Sequence, residues 1–182
     1  MERVLTDDEL IAVWNAAVGF PFGAMIRLLI LTGQRRSEIG SLKWQYIKDE
    51  TITLPITKNR RIHTFPVSPK VMQIIENAPQ LNDTYLFPAR GKDSPFNAWG
   101  KGKKLLDQQC GVEGWTIHDL RRTFATNLAA LTVQPHVVER LLNHSTGTIS
   151  GIAAIYNRFD YMDEMRAALS QWEDKLEQLL AG

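Results

Sequence analysis

The sequence is poor in cysteine, in long apolar runs and in net charge, and each shortage removes a class of protein. Cys110 is the only cysteine in 182 residues. No internal disulfide can form, which excludes the disulfide-braced secreted domains and fits a reducing cytoplasm. No apolar run approaches the roughly 20 residues that span a bilayer, so no membrane partner is expected. The opening "MERVLTDDEL" carries neither the basic nor the apolar region of a signal peptide. His63, His118, His136 and His144 have no zinc-motif spacing, so no metal is expected, and no cofactor is expected either. The formal net charge is +1, too small to select a polyanion by itself. Repeats, low-complexity tracts and linkers are missing too, and residues 1–182 are expected to form one domain.

What is present is an ordinary globular balance, 44% hydrophobic and 23% charged, with enough length for a sizeable core. The charges are segregated. Basic residues gather at Arg35, Arg36 and Lys43, at Lys58, Arg60 and Arg61, at Lys101, Lys103 and Lys104, and at Arg121 and Arg122. Acids gather at Asp7 to Glu9 and from Asp160 to Glu177. Such a pattern can make a basic face for a polyanion, or it can be a set of scattered solvated charges.

The element pattern is mainly α with a small antiparallel β-sheet, an α+β arrangement. Thr6 and Glu9 have capping-box spacing, with Leu5 and Leu10 placed as a staple. "FGAMIRLLIL" reads as a buried helix that Gly33 ends in a left-handed cap, and "RSEIGSLKW" as a short third helix. "QYI", "TITLP" and "RIHTFPV" read as short strands, with Lys58 near the second hairpin turn. Ser68 with Pro69, and Ser94 with Pro95, are helix-start signals. Four further helices are expected: one from Thr116, "QPHVVERLLNH", "TISGIAAIYNRF", and a last one over 161–180. The last bears one apolar stripe, Met162, Met165, Leu169, Trp172, Leu176 and Leu179. That stripe could cap this chain's core or dock on a neighbouring subunit.

The stretch "HDLRRTFATNLAAL", 118–131, carries the sharpest chemistry. At about 100° per residue from His118, the apolar residues centre near about 235°. Arg121 falls at about 300°, on the rim of that face, and Arg122 at about 40°, almost opposite. Arg121 is therefore expected to be partly buried with an aimed guanidinium, and Arg122 to be solvated. His118 and Arg121 stand at i, i+3 in a first turn, where free N–H groups favour an anion. The plainer reading is a helix start capped by Asp119 with surface arginines.

Other candidates are weak one by one. Arg35 follows the Gly-ended helix, with Glu38 three residues on, as a solvated Arg–Glu pair would. Lys58 sits in a turn, His144 follows a helix end, and Tyr156 borders an apolar face. Their order is what distinguishes them. Arg-x-x-Glu after Thr-Gly, a hairpin lysine, His-x-x-Arg, Leu-x-His and a tyrosine, in that sequence, resemble the catalytic domain of the tyrosine recombinases, the phage-integrase family. "TGQRRSEIGSLKW", "HDLRRTFAT" and "LLNHSTGTISGIAAIYNRFDYMDEMRAAL" carry the likeness, the last being similar to prophage and genomic-island integrases.

The resemblance implies a tyrosine recombinase catalytic-domain fold and an enzyme of DNA integration. Arg35 and Arg121 would clamp the non-bridging oxygens of a phosphodiester, for which the guanidinium fork is suited. Tyr156 would attack phosphorus and form a 3′-phosphotyrosine. Lys58 would protonate the leaving oxygen, His118 would assist proton transfer, His144 would hydrogen-bond a non-bridging oxygen, and Glu38 would orient these groups. Arg36, Arg60, Arg61 and Arg122 are candidate DNA-backbone contacts. Tyr161 competes with Tyr156, but "YNRF" matches the family pattern. Asn143 stands where the family often has glycine before the histidine. The implied partners are double-stranded DNA attachment sites and further copies of the protein, in a tetramer on DNA, with helix 161–180 as one candidate contact.

The resemblance also implies that this is the catalytic domain alone, without the core-binding and arm-binding domains of the family. Such a domain is expected to bind DNA weakly and with strong salt dependence. Two other readings stay open at this point: a recombinase-like DNA-binding or subunit-interaction domain without activity in isolation, and a metal-free phosphodiesterase using His118, His144 and Lys58.

Overall fold

A computed structural model describes residues 3–58, 61–144 and 160–182. Helices dominate it, beside one three-stranded antiparallel sheet, in agreement with the α+β expectation. Helix α1 spans Asp7–Ala16. The Thr6 hydroxyl accepts the Glu9 N–H at 3.3 Å, and the Glu9 carboxylate accepts the Thr6 N–H at 2.9 Å. Leu5 and Leu10 are both buried beneath this cap.

Helix α2, Ala24–Thr32, is the central element. It is buried nearly all round, through Met25, Ile26 and the run from Leu28 to Thr32, as a helix apolar on every face must be. Three of its last four carbonyls have partners. Gly33 N–H caps Leu29 O, the Trp172 indole caps Ile30 O at 3.0 Å, and the Gln34 amide caps Thr32 O at 3.2 Å. Gly33 has φ +62°, and a Cβ there would lie 2.3 Å from the Phe124 ring. Glycine is thus required twice, by the left-handed cap and by the close approach of the helix carrying Phe124.

Helix α3 is Arg36–Gly40. Strands β1 (Ile47–Lys48), β2 (Thr51–Leu54) and β3 (His63–Pro66) follow in the order β1-β2-β3. The β2–β3 register ends at the pair Leu54 and His63, which leaves 55–62 as the connecting loop. Helix α4, Pro69–Glu76, starts where Ser68 and Pro69 signal it, the Ser68 hydroxyl accepting the Val71 N–H.

The second Ser-Pro signal fails. Helix α5 is Trp99–Cys110 and starts four residues beyond Pro95. Pro95 instead bridges Pro88, and the Phe96 N–H donates to Phe87 O at 3.0 Å. A local start signal is overridden where the backbone is spent on pairing with "YLFP". One of the two glycines inside α5 also has a reason: a Cβ at Gly102 would stand 2.4 Å from the Phe22 ring, whereas Gly100 faces open space.

Helices α6 (Ile117–Ala130), α7 (Pro135–Leu141) and α8 (Met162–Ala181) complete the fold. The expected helix "TISGIAAIYNRF" and Tyr156 within it lie outside the described residues, as does Arg60. In α8, Met165, Ala168, Leu169, Trp172 and Leu176 are buried in this chain's own core, and Trp172 stands edge-on to Phe124 at 6.0 Å. Lys70 pairs with Glu177 at 2.6 Å across α4 and α8. The middle of the stripe thus packs on this chain's own core, one of the two placements expected for it. Among the described residues, no helix is long and apolar enough to cross a membrane.

Candidate active site

The site begins where α2 ends against α6. The Phe124 ring lies against Gly33, so one turn earlier on α6 Arg121 reaches the end of α2. Its Nη1 donates to Gly33 O at 2.9 Å, and its Nη2 donates to Leu142 O just past α7. Arg121 is 5% exposed. Its burial agrees with the helical projection. Among the described residues these bonds use two of its five guanidinium N–H groups, which leaves three for another acceptor. Burial first, then repulsion from Arg35, lowers its pKa to about 10, with Glu38 opposing. It stays cationic at neutral pH.

Arg35 follows α2 by three residues, at the N-cap of α3. Glu38, itself buried, accepts both the Arg35 backbone N–H at 3.1 Å and its Nη1 at 3.0 Å. The expected Arg–Glu pair is thus fixed and half-buried rather than solvated. Arg121 is close enough that the two cations repel, and the Glu38 carboxylate is committed to Arg35.

His118 lies in the first turn of α6 and is exposed. Partial desolvation of its ring, then Arg122 and Arg121, hold its pKa below the ordinary histidine value. Asp119, fully buried, does two things at the helix start. Its Oδ2 accepts the Thr116 N–H and hydroxyl at 2.8 and 2.9 Å, and its Oδ1 accepts Arg122 Nη1 at 2.7 Å. These bonds outweigh the burial that would raise its pKa, and the net shift is downward. Arg122 is therefore not the solvated side chain expected. It is held in an ion pair with a buried carboxylate.

The end of α7 completes the cluster. Leu141 O accepts from Gln34 Nε2 at 2.8 Å and from His63 Nε2 at 3.1 Å, and Leu142 O accepts from Arg121. A carbonyl only accepts, so His63 carries its proton on Nε2. Burial, with Arg121 and Arg35 adding, lowers its pKa to about 4 against the opposing bond to Leu141, so it is neutral at neutral pH. His144 follows directly and is exposed. Desolvation, then Arg121 and Arg35, lower its pKa, and His118 adds to this. Asn143 takes the left-handed φ of +48°, a conformation asparagine tolerates better than most residues. Its Nδ2 donates to Thr57 Oγ1 at 3.0 Å, which joins this turn to the loop of Lys58.

Arg35, Glu38, His118, Arg121 and His144 are thus brought together, and Thr57, the neighbour of Lys58, is bonded to Asn143 beside them. Lys58, Arg36 and Arg61 are exposed. Three tyrosines are engaged elsewhere. Tyr46 and Tyr85 flank Lys43 at 5.9 and 5.2 Å, and Tyr161 packs on His136 at 4.8 Å and under Arg140, one in the first and one in the last turn of α7. Among the described residues no group of three metal-ligating side chains stands together. Sequence reasoning missed Gln34, Thr57, His63 and Asn143 as parts of this architecture. For His63 a signal existed: it alternates inward with Phe65 along β3, and the two rings stack at 4.9 Å.

This arrangement, two cations and two histidines at converging helix ends, can hold an anion and move protons beside it. A model of the phage integrase family matches residues 3–161. The chain belongs to the phage integrase family. Prophage integrase IntZ of Escherichia coli strain K12 is 33% identical over 165 residues, which are 86% of this chain and 40% of that relative. The integrase of Shigella phage Sf6 is 25% identical, over 93% of this chain and 47% of its own length. The chain thus spans less than half the length of these curated relatives. Among solved structures, an integrase from mycobacterium phage Brujita aligns with a TM-score of 0.73 at 22% identity, covering 100% of this chain and 64% of that one. The catalytic domain of bacteriophage HP1 integrase aligns with a TM-score of 0.65 at 21% identity, covering 80% and 83%. Both share the fold of this chain.

Proposed function

We propose that residues 1–182 are the catalytic domain of a site-specific recombinase that cuts and rejoins DNA through a covalent 3′-phosphotyrosine. The observation that carries this reading is the buried Arg121 beside Arg35, with His118 and His144 in electrostatic reach of both. Two fixed guanidiniums suit the two non-bridging oxygens of a phosphodiester and stabilise the charge that builds on them.

Tyr156 Oη attacks phosphorus, and the bond to the 5′ oxygen breaks. Lys58 gives its proton to that oxygen, while neutral His118 takes up the tyrosine proton. His144 donates to a non-bridging oxygen, and Glu38 holds Arg35 in place. The phosphotyrosine keeps the energy of the phosphodiester, so a 5′-hydroxyl from a partner strand can reverse the attack without ATP. The arginines fill the electrostatic role that a metal would otherwise take. Double-stranded attachment sites are the substrate, and Arg36, Arg60, Arg61 and Arg122 are the candidate backbone contacts. Lambda integrase is known as a tetramer bound to a Holliday junction; self-association on DNA is proposed here by that likeness.

The test is a nicked duplex spanning the junction of the element that encodes the protein. It should trap a covalent protein–DNA band that Tyr156→Phe abolishes and Tyr161→Phe leaves intact. A band that persists in Tyr156→Phe sinks the nucleophile assignment. No band from the unaltered protein, at low salt and high concentration, sinks the enzymatic reading.

A further inference from the structure

We propose that Thr57 and Asn143 are positioning residues that set the Lys58 loop against the His144 turn, an inference that rests on the reading of Lys58 as general acid. A proton donor must come within hydrogen-bond reach of the leaving oxygen. Lys58 is exposed, on a flexible four-carbon stem, in a loop of eight residues between Leu54 and His63. Something must register that loop against the rest of the site.

Thr57 is the inward residue among the described residues of the loop. It is 5% exposed, whereas Ile56 and Ile62 are 81% and 71% exposed. Its Oγ1 donates to Arg61 O at 2.9 Å, which closes the loop across Lys58, and accepts from Asn143 Nδ2 at 3.0 Å. On the far side of the loop His63, the first residue of β3, donates to Leu141 O. Both roots of the loop are therefore tied to one helix end, at positions 141 and 143. Between them Leu142 O receives Arg121, and the next residue is His144. The turn after α7 is common ground for the lysine, the histidine and the arginine. Glycine would meet the φ of Asn143 without strain, but it would supply no amide for Thr57. The tie belongs to the side chain that this sequence has chosen.

The test separates proton donation from general damage. An alkoxide is a poor leaving group and needs the proton, whereas a 5′-bridging sulfur leaves as a thiolate without it. Single-turnover cleavage is measured on the junction duplex with oxygen or sulfur at the 5′-bridging position. Asn143→Gly and Thr57→Val should cleave the oxygen duplex about tenfold more slowly, and the sulfur duplex within about twofold of the parent. Thr57→Ser should restore the oxygen rate, and the unfolding midpoints should stay near the parent's. Equal losses on both duplexes, or no loss on either, overturn the positioning role. Lys58→Ala run alongside isolates the underlying reading: if sulfur does not rescue it, Lys58 is not the acid, and that assignment fails by itself.

Discussion

The arginine floor of the site and the lysine loop beside it are built by opposite means. Arg121 is buried, bonded to two backbone carbonyls and seated at a helix contact that admits only glycine at position 33. Lys58 is exposed, and its loop meets the same helix end through side-chain ties from Thr57 and His63. The difference fits the work proposed for each group. A charge that must never change is best fixed in the fold, where its field is least screened. A group that must surrender a proton cannot be desolvated as deeply, because burial lowers a lysine's pKa.

Breaking the floor should have the largest effect. Arg121→Ala should lower cleavage by about 10³-fold or more. It should also lower stability by about 2–4 kcal/mol, since the Gly33 and Leu142 carbonyls lose their donor, as chemical denaturation would measure. Arg121→Lys should recover little, because an ammonium cannot span two carbonyls and a phosphate.

Breaking the loop's end should leave the fold alone. Lys58→Ala should lower cleavage by about 10²-fold or more with an unchanged unfolding midpoint, because the side chain is exposed. A drop in stability comparable to that of Arg121→Ala would erase the contrast between the two regions.

His63 sharpens the comparison through pH. Its folded pKa of about 4 lies below the ordinary 6.5, so the unfolded chain binds the extra proton between these values. Its contribution is complete above pH 6.5 and is lost as pH falls towards 4, by an amount on the order of 3 kcal/mol. His63→Gln keeps a donor for Leu141 O and should show a shallower loss of stability over that window in denaturant titrations. An equally steep loss would mean that other groups dominate it. The smallest effect is expected at Arg122. Arg122→Ala should cost about 1 kcal/mol, because Asp119 keeps its Thr116 bonds, and only a few-fold in cleavage.

Much of the floor was legible in the sequence, and little of the loop was. Helical periodicity separated Arg121 from Arg122 because direction on a helix is a local property. It did not reveal that Asp119 would hold Arg122, because a partner depends on what the helix start needs. Gly33 was readable as a cap, but its contact with Phe124 was not. The ties from Thr57 to Asn143 and from His63 to Leu141 cross 86 and 78 residues, and no spacing rule records them. Ser94 and Pro95 show the same limit from the other side, a sound local signal overruled by a backbone bridge. The stripe on α8 was readable as apolar, but the bond from Trp172 to Ile30 O, across 142 residues, was not.

The central claim is that Arg121 serves a phosphate and not only the carbonyls of Gly33 and Leu142. The most direct measurement is single-turnover cleavage by Arg121→Ala of a junction duplex whose scissile phosphate is replaced by a neutral methylphosphonate. A clamp for negative charge predicts that the roughly 10³-fold loss on the ordinary duplex shrinks to about tenfold on the neutral one. The same loss on both duplexes would contradict the account and leave Arg121 a structural bolt between helix ends.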